Sequence, residues 1–157
     1  MSNGGVSAMV EVDIETGHVG IERFVVAEDA GRLINPMIVD GQIHGGVAQG
    51  IANALLEEIV YAEDGNILTA TLADYLPPTV REMPPIEIHH LVTLTSASVT
   101  KAKGLGEGGA IGAPAAVVNA INDALAPFGV SIDEFPATPQ RIRAALRAAS
   151  RVAPRQA

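Results

Sequence analysis

The sequence predicts an α+β fold in which a β-hairpin is followed by two long glycine-containing helices and a mixture of shorter strands. Two observations indicate this class. Short runs near the start and the middle of the chain partly alternate apolar and polar residues, and helix-start signatures occur at Asn35-Pro36 and Thr138-Pro139. The strands and helices do not follow the regular βαβ order of a doubly wound sheet. The 157 residues correspond to about one domain.

The first half of the chain predicts a hairpin and then a helix. The two strand-like runs are Ala8–Ile14 and Val19–Ala27, joined by a turn at Glu15-Thr16-Gly17. A long helix is expected over residues 36–59, because the Asn35 side chain can accept a backbone N–H bond and Pro36 is tolerated at the first helical position.

The second half is more irregular. We expect a turn at residues 63–66, mixed strand and loop over 67–76, and an extended connector over 77–85, which contains four prolines. A strand should follow over 85–96, and further helices over 113–126 and from Pro139 onward. The domain would span residues 1–150, and residues 151–157 would form a flexible tail.

The composition excludes several classes of function. The net charge is −8, and the only basic cluster is near the C-terminal end, so nucleic-acid binding is not expected. Cysteine is absent, so the chain offers no disulfide, thiolate nucleophile or iron–sulfur ligand. No signal peptide and no apolar run of membrane-spanning length is present, which predicts a cytoplasmic protein without a transmembrane segment.

A glycine-rich segment, KGLGEGGAIGAPAAVVNAI, occupies residues 103–121. Gly104, Gly106 and Gly109 satisfy the G-x-G-x-x-G pattern of dinucleotide sites, but the approach SASVTKAK is polar and the later acid, Asp123, lies inside the next helix. A Walker-type phosphate loop fails because Lys103 precedes the glycines. What remains is a loop that brings its backbone close to a flat or charged ligand and offers N–H groups to an anion.

Glu107, the one carboxylate in this loop, has two interpretations. It could complement the N-terminal end of the next helix, an effect of about 0.3–1 kcal/mol. Alternatively, because that helix carries no charge before Asp123 and therefore resembles a buried helix, the carboxylate could lose solvation and act as a general base.

A second glycine-rich segment, DGQIHGGVAQG, lies in the first helix. Gly41, Gly45, Gly46 and Gly50 would flatten one helix surface, with Gln42 and His44 beside it. The alternative is close helix–helix packing, with Gln42 bound to the backbone. His89 and His90 are adjacent in a strand and face opposite sides, so no metal-ligand cluster is predicted within the chain.

The two glycine segments together carry a family resemblance. GRLINPMIVDGQIHGGVAQGIANALLEE followed by KGLGEGGAIGAPAAVVNAINDAL resembles the C-terminal end of the molybdenum-binding large subunit of the xanthine oxidase family. That family includes xanthine dehydrogenase, aldehyde oxidoreductases, aerobic carbon monoxide dehydrogenase and N-heterocycle hydroxylases. The likeness runs from about Val10 to Leu146. It implies the C-terminal portion of a molybdenum-cofactor-binding domain.

The resemblance also implies roles for particular residues. Glu107, in the Gly-x-Gly-Glu motif, corresponds to a catalytic base beside molybdenum, and Gln42 to a residue that hydrogen-bonds near the metal and pterin. Gly106 would lie against the cofactor, and Lys103 would approach its polar side. The cofactor would be a molybdenum-pyranopterin, often the cytosine dinucleotide form in bacteria, acting on an aldehyde, an N-heteroaromatic compound or carbon monoxide with water as oxygen source.

Family large subunits are much longer than this chain, so either the large subunit is divided between two polypeptides, which is the preferred interpretation, or the chain is a truncated or engineered piece. The expected partners are the remainder of the large subunit, an iron–sulfur subunit with two-iron two-sulfur clusters, and an FAD subunit. Alone, the chain is expected to be inactive. Two alternatives stay open: a non-catalytic pterin-binding or assembly subunit of the same kind of complex, and a free-standing dinucleotide-binding domain.

Overall fold

A computed structural model describes residues 2–152 of the protein. The order of elements is β1 (Asn3–Val12), β2 (Val19–Asp29), α1 (Pro36–Leu55), β3 (Ile86–Leu91), α2 (Gly108–Leu125) and α3 (Pro139–Val152). The predicted α+β class is confirmed. Residues 153–157, most of the predicted tail, lie outside the described residues, whereas Arg151 and Val152 belong to the end of α3.

The sheet has three strands in the order β1-β2-β3. The predicted hairpin is confirmed: β1 pairs antiparallel with β2 over its whole length, with an irregularity between Met9 and Val10. β3 pairs with β2 in parallel, from Phe24 opposite Ile86 to Asp29 opposite Leu91. The ends of β2 and β3 therefore lie at the same edge of the sheet.

Helices α1 and α2 pack against each other, and α2 also packs against β1. The core between them is apolar and fully enclosed. Its main members are Phe24, Val26, Ile43, Val47, Ile51, Val117, Ile121, Leu125 and Ile142. These residues come from β2 and all three helices, so the hydrophobic contact that holds the sheet to the helices is one continuous cluster.

The structure confirms the predicted start of α1 and corrects the predicted end of α1 and start of α2. Asn35 caps α1, accepting the N–H of Ile38 at 3.4 Å, and Pro36 is the first residue, as predicted. α1 ends at Leu55 rather than at residue 59. α2 begins at Gly108, five residues before the predicted start, and includes Pro114 in its interior. Close packing on α1 stabilises this glycine-rich first turn, and local propensity gives no sign of such packing.

The segment between α1 and β3 contains little regular structure. Within residues 56–85 the only strand-like pairing described is an isolated bridge between Tyr61 and Ile67, so the mixed strand expected over 67–76 does not form. α3 is anchored through Ala137, whose N–H donates to the carbonyl of Ala54, and through the Arg141–Glu58 ion pair. Within residues 2–152, no helix combines the length and apolar character needed to cross a bilayer.

Candidate active site at the glycine segments

The two glycine segments meet in the structure through one side-chain hydrogen bond. Gln42 Nε2 donates to the carbonyl oxygen of Gly106 at 2.7 Å, across 64 residues of sequence. Gln42 lies nearly two turns into α1, and Gly106 immediately precedes Glu107. The bond therefore fixes the glycine loop against α1 one residue before the carboxylate.

The glycines of α1 face two directions, which corrects the predicted single flat surface. A Cβ atom at Gly46 would lie 2.8 Å from the backbone nitrogen of Ala110, and one at Gly50 would lie 2.5 Å from the Cβ of Ala113. These two glycines permit the close α1–α2 contact, as the packing interpretation proposed. Gly41 and Gly45 instead lie on the other side of the helix, where nothing in the described chain lies within 4 Å of an added Cβ.

Glu107 occupies the N-cap position of α2, but its side chain makes no capping hydrogen bond. No capping hydrogen bond therefore forms, while a carboxylate at this end of the helix remains compatible with the electrostatic interpretation. The Glu107 side chain is exposed on this chain, so the desolvation expected for a general base is not supplied by the described residues themselves. Burial of Glu107 requires a covering group from elsewhere.

One face of α2 is uncovered, which corrects the prediction of a helix buried on most sides. The buried positions of α2 all lie toward α1 and the sheet: Gly109, Ala113, Val117, Val118, Ile121 and Leu125. Ile111, one turn after Glu107, is 74% exposed. Ala115 and Asn119 continue the exposed stripe at four-residue intervals, so the stripe that begins at Glu107 lacks a partner within the described part of this chain.

The N-terminal end of α1 is similarly uncovered. Ile34, Met37 and Ile38 are between 62% and 77% exposed, and they border the open side marked by Gly41. Exposed apolar side chains of this size in a cluster are typical of a surface that another protein segment covers. The surface around Gln42 and Glu107 is therefore open toward a segment that the described residues do not supply.

Lys103 is held inside the protein instead of facing this open surface. Its Nζ lies 2.9 Å from Asp29 Oδ2, and the side chains of Lys103 and Asp29 are only 7% and 8% exposed. The predicted contact between Lys103 and a cofactor stays a prediction, since the structure shows this ammonium group bound to Asp29. Sequence reasoning missed Asp29, although its position just before Gly31 at the end of a strand was a usable signal.

Asp29 receives three donors. Besides Lys103, the backbone N–H groups of Gly31 and Thr93 donate to Oδ1 at 2.9 and 3.0 Å. The N–H of Thr93 and the Lys103 ammonium group hold the pKa of Asp29 well below its usual range. Asp29 is therefore a buried anion that joins the ends of β2 and β3 to the start of the glycine loop.

Glu28, the residue before Asp29, is a second buried carboxyl group that sequence reasoning missed. It is 3% exposed, and its Oε1 lies 3.0 Å from the position of an added Cβ at Gly108, the first residue of α2. Burial raises the pKa of Glu28, and the neighbouring Asp29 charge adds to this effect. Two adjacent carboxyl groups thus have opposite electrostatic environments.

The histidines do not form a metal site. His90 Nε2 lies 2.7 Å from Asp40 Oδ1, and His44 Nδ1 lies 2.8 Å from the carbonyl oxygen of Asp40. His89 is exposed on the opposite side of β3 from His90. Among the residues that the structure describes, no group of three or more His, Asp or Glu side chains could hold a metal ion.

Comparison with known proteins identifies the chain. Residues 1–84, more than half of the sequence, match the family model of the molybdopterin cofactor-binding domain. The chain belongs to this family.

Relatives of this molybdopterin cofactor-binding domain are large subunits of molybdenum enzymes. The chain is 49% identical over 141 residues to the nicotine 6-hydroxylase large subunit of Paenarthrobacter nicotinovorans, covering 90% of this chain and 17% of that subunit. It is 39% identical over 123 residues to the carbon monoxide dehydrogenase large chain of Afipia carboxidovorans, covering 78% of this chain and 15% of that one. The predicted resemblance to the xanthine oxidase family is confirmed.

A solved structure agrees with these relatives. The crystal structure of quinoline 2-oxidoreductase from Pseudomonas putida 86 superposes with a TM-score of 0.91 and 48% identity, over 93% of this chain and 19% of that chain. The chain therefore spans less than one fifth of the length of these proteins. It corresponds to a segment of a molybdenum-binding large subunit.

The open surface fits the cofactor that this family binds. Added Cβ atoms at Gly41, Gly45, Gly104 and Gly106 would meet nothing within 4 Å, so the backbone at these positions can approach a flat ring system closely. The N-terminal end of α2, an 18-residue helix without a side-chain cap, opens beside this glycine loop and favours an anionic group such as a phosphate.

Proposed function

We propose that the chain is a component of a molybdenum hydroxylase that oxidises a small substrate with water as the source of oxygen. Glu107 is its catalytic base, and Gln42 and Gly106 form part of the pterin site. The observation that carries this proposal is the Gln42–Gly106 hydrogen bond, because it holds the one loop carboxylate at the edge of an open glycine surface. The remainder of the large subunit would cover this surface.

The reaction requires a base whose carboxylate is shielded from solvent in the assembled enzyme. Glu107 lies at the N-cap of α2, where the uncovered stripe begins, and makes no capping hydrogen bond. Its carboxylate is therefore free to take a proton at an Oε atom from the water-derived nucleophile. Covering the stripe with a second polypeptide removes solvent from this carboxylate, and the lower polarity strengthens its basicity. When bound, the molybdenum-pyranopterin supplies the redox chemistry by taking up the electrons of the oxidation.

Gln42 and the loop glycines orient this carboxylate. The amide of Gln42 uses one N–H on the carbonyl of Gly106, which leaves its second N–H and its oxygen for a ligand on the open side. The pterin is proposed to be the cytosine dinucleotide form. Electrons would leave through two-iron two-sulfur clusters and FAD on partner subunits, since this chain has no cysteine to ligate such clusters.

The substrate class that the comparisons favour is an N-heteroaromatic compound. The relatives with 49% and 48% identity are named for nicotine and quinoline, whereas the carbon monoxide dehydrogenase large chain is 39% identical. Aldehydes and carbon monoxide are therefore the alternatives to include in a substrate panel. A suitable assay measures the oxidation of nicotine, quinoline, benzaldehyde and carbon monoxide with an artificial electron acceptor.

The decisive experiment replaces Glu107 in the assembled enzyme. Glu107→Gln keeps the shape of the side chain and removes its basicity, so turnover should fall at least about 100-fold while molybdenum and pterin contents stay unchanged. Glu15→Gln is the matched control, because this glutamate lies in the hairpin turn at the far end of β2, about 30 Å along the strand from Asp29.

Near-normal turnover of the Glu107→Gln enzyme, at full metal content, would contradict catalysis by this residue. That outcome would favour the second candidate function, a non-catalytic pterin-binding or assembly subunit. Loss of metal together with turnover would instead give Glu107 a role in holding the cofactor. The Glu15→Gln control should behave as the unmodified enzyme in every measurement.

A further inference from the structure

The loop that carries Glu107 is fixed at its beginning by Lys103. The Lys103 side chain is bonded to Asp29, and its backbone N–H donates to the carbonyl of Ala30 at 2.8 Å. The same stretch is held from the other side, since the N–H of Arg32 donates to the carbonyl of Lys101 at 3.1 Å. Side chain and backbone of Lys103 are thus both tied to the end of β2.

The backbone at Gly31 and Lys101, next to this ion pair, is tightly constrained. Gly31 has a φ of +66°, and an added Cβ there would lie 2.6 Å from the carbonyl oxygen of Lys101. Lys101 itself has a φ of +61°, a conformation that non-glycine residues seldom adopt. Such backbone geometry persists only where surrounding contacts enforce it.

After Lys103 the loop has few constraints of its own. Gly104 and Gly106 leave the backbone flexible, with nothing within 4 Å of their added Cβ positions, and Glu107 makes no capping bond. Its position is therefore set by three attachments: Lys103 at the start, the Gln42–Gly106 bond in the middle, and α2 at the end. Lys103 is the attachment that uses a buried charge.

We propose that the Asp29–Lys103 ion pair positions Glu107 for proton transfer, so that Lys103 and Asp29 are positioning residues and not cofactor ligands. This inference rests on the function proposed above for Glu107. A buried ion pair contributes little net stability compared with an apolar pair, because both charges lose their hydration. Its benefit here is geometric: the ammonium group binds an Asp29 carboxylate that Gly31 and Thr93 already hold in place, so the start of the loop is held there too.

The test uses the assembled enzyme with both charges removed. The double variant Asp29→Asn/Lys103→Met removes both charges of the pair and leaves the neighbouring buried carboxyl group of Glu28 in place, and the oxygen of the introduced amide can still accept the two backbone N–H bonds. The single variant Lys103→Met is measured in parallel. The matched control is Arg23→Met/Glu87→Gln, which removes an exposed ion pair between β2 and β3 with N–O distances of 2.6 and 2.8 Å.

Three properties are measured: molybdenum content, turnover per molybdenum with the four-substrate panel, and amide hydrogen exchange of residues 103–110 in the complex. We expect unchanged metal content, turnover lower by about 10- to 100-fold from a displacement on the order of 1 Å, and unchanged KM. Exchange in the loop should be at least about 10-fold faster. The acid limb of the pH–rate profile should persist at a lower plateau, because Glu107 is still present.

Two outcomes would overturn the inference. Normal turnover per molybdenum in the double variant would make the pair purely structural. Metal loss with normal turnover of the remaining loaded enzyme would make Lys103 a cofactor ligand. The Glu107→Gln enzyme separates this inference from the proposed function: normal turnover there refutes the function itself, whereas low turnover there with normal turnover in the double variant refutes only the positioning role.

Discussion

Replacement by alanine should raise the free energy of unfolding at Gly45 and lower it at the adjacent Gly46. Gly45 and Gly46 both gain about 0.5–1 kcal/mol of helix stability when replaced by alanine, because alanine restricts the unfolded chain more than glycine. At Gly45 the added methyl group meets nothing within 4 Å. We therefore expect Gly45→Ala to stabilise the folded chain by this amount.

At Gly46 the methyl group collides with α2. It would lie 2.8 Å from the nitrogen of Ala110 and 3.0 Å from two backbone atoms of Gly109, whereas ordinary carbon contacts begin near about 3.5 Å. The two helices must separate by roughly 0.5 Å, and overpacking of this kind costs about 1–3 kcal/mol. After subtraction of the propensity gain, Gly46→Ala should destabilise the chain by about 1 kcal/mol.

Urea unfolding followed by circular dichroism measures both variants. With a urea dependence of about 2 kcal/mol per molar, the two midpoints should differ by about 1 M, with Gly45→Ala the higher. Equal midpoints for the two variants, or a higher one for Gly46→Ala, would show that α1 and α2 do not pack as closely as described. Unchanged m-values are needed for the comparison to report stability alone.

Two further predictions concern buried polar groups. Glu28→Gln should raise the free energy of unfolding more at pH 7 than at pH 4. Because the folded-state pKa of Glu28 is raised, the stability that its protonated carboxyl group contributes is complete below the unfolded pKa of about 4.3 and is lost as pH rises through the folded value. Urea unfolding at both pH values tests this, and a gain that does not grow with pH would contradict it. Asn122→Ala should cost about 1–3 kcal/mol, since Asn122 donates to the carbonyl of Ile132 at 2.9 Å and accepts its N–H at 2.7 Å. Asn122→Asp keeps the acceptor but at pH 7 sets a carboxylate oxygen against the carbonyl oxygen of Ile132, so it should cost at least as much in the same assay, and a nearly neutral effect would contradict the two-bond account.

The sequence predicted those elements that local signals determine. Alternation and the turn at Glu15-Thr16-Gly17 indicated the hairpin, and Asn35 and Thr138 marked helix starts, with Thr138 Oγ1 accepting the N–H of Arg141 at 3.3 Å. The predicted start of α2 was wrong because Gly108, Gly109 and Gly112 are residues that, from the local sequence, are typical of a loop. Their helical conformation depends on contacts with α1, β1 and Glu28 of β2, which are distant in sequence.

The site was predicted unevenly for the same reason. The residue types around Glu107 and Gln42 carried a family resemblance, but the bond between Gln42 and Gly106 depends on how two helices cross. The burial of Lys103 depends on the parallel pairing of β2 with β3, which brings Thr93 and Asp29 together. Long-range strand pairing of this kind leaves no local trace in the sequence.

The uncovered stripe on α2 has a practical consequence for anyone producing this protein. Ile111 on this stripe, and Met37 at the start of α1, would be presented to every other protein in the cell if this segment were produced apart from the rest of a large subunit. Yield and solubility should therefore depend on whether the part of a large subunit that covers these residues is produced with it. Without that part, the segment would be left to chaperones and proteases.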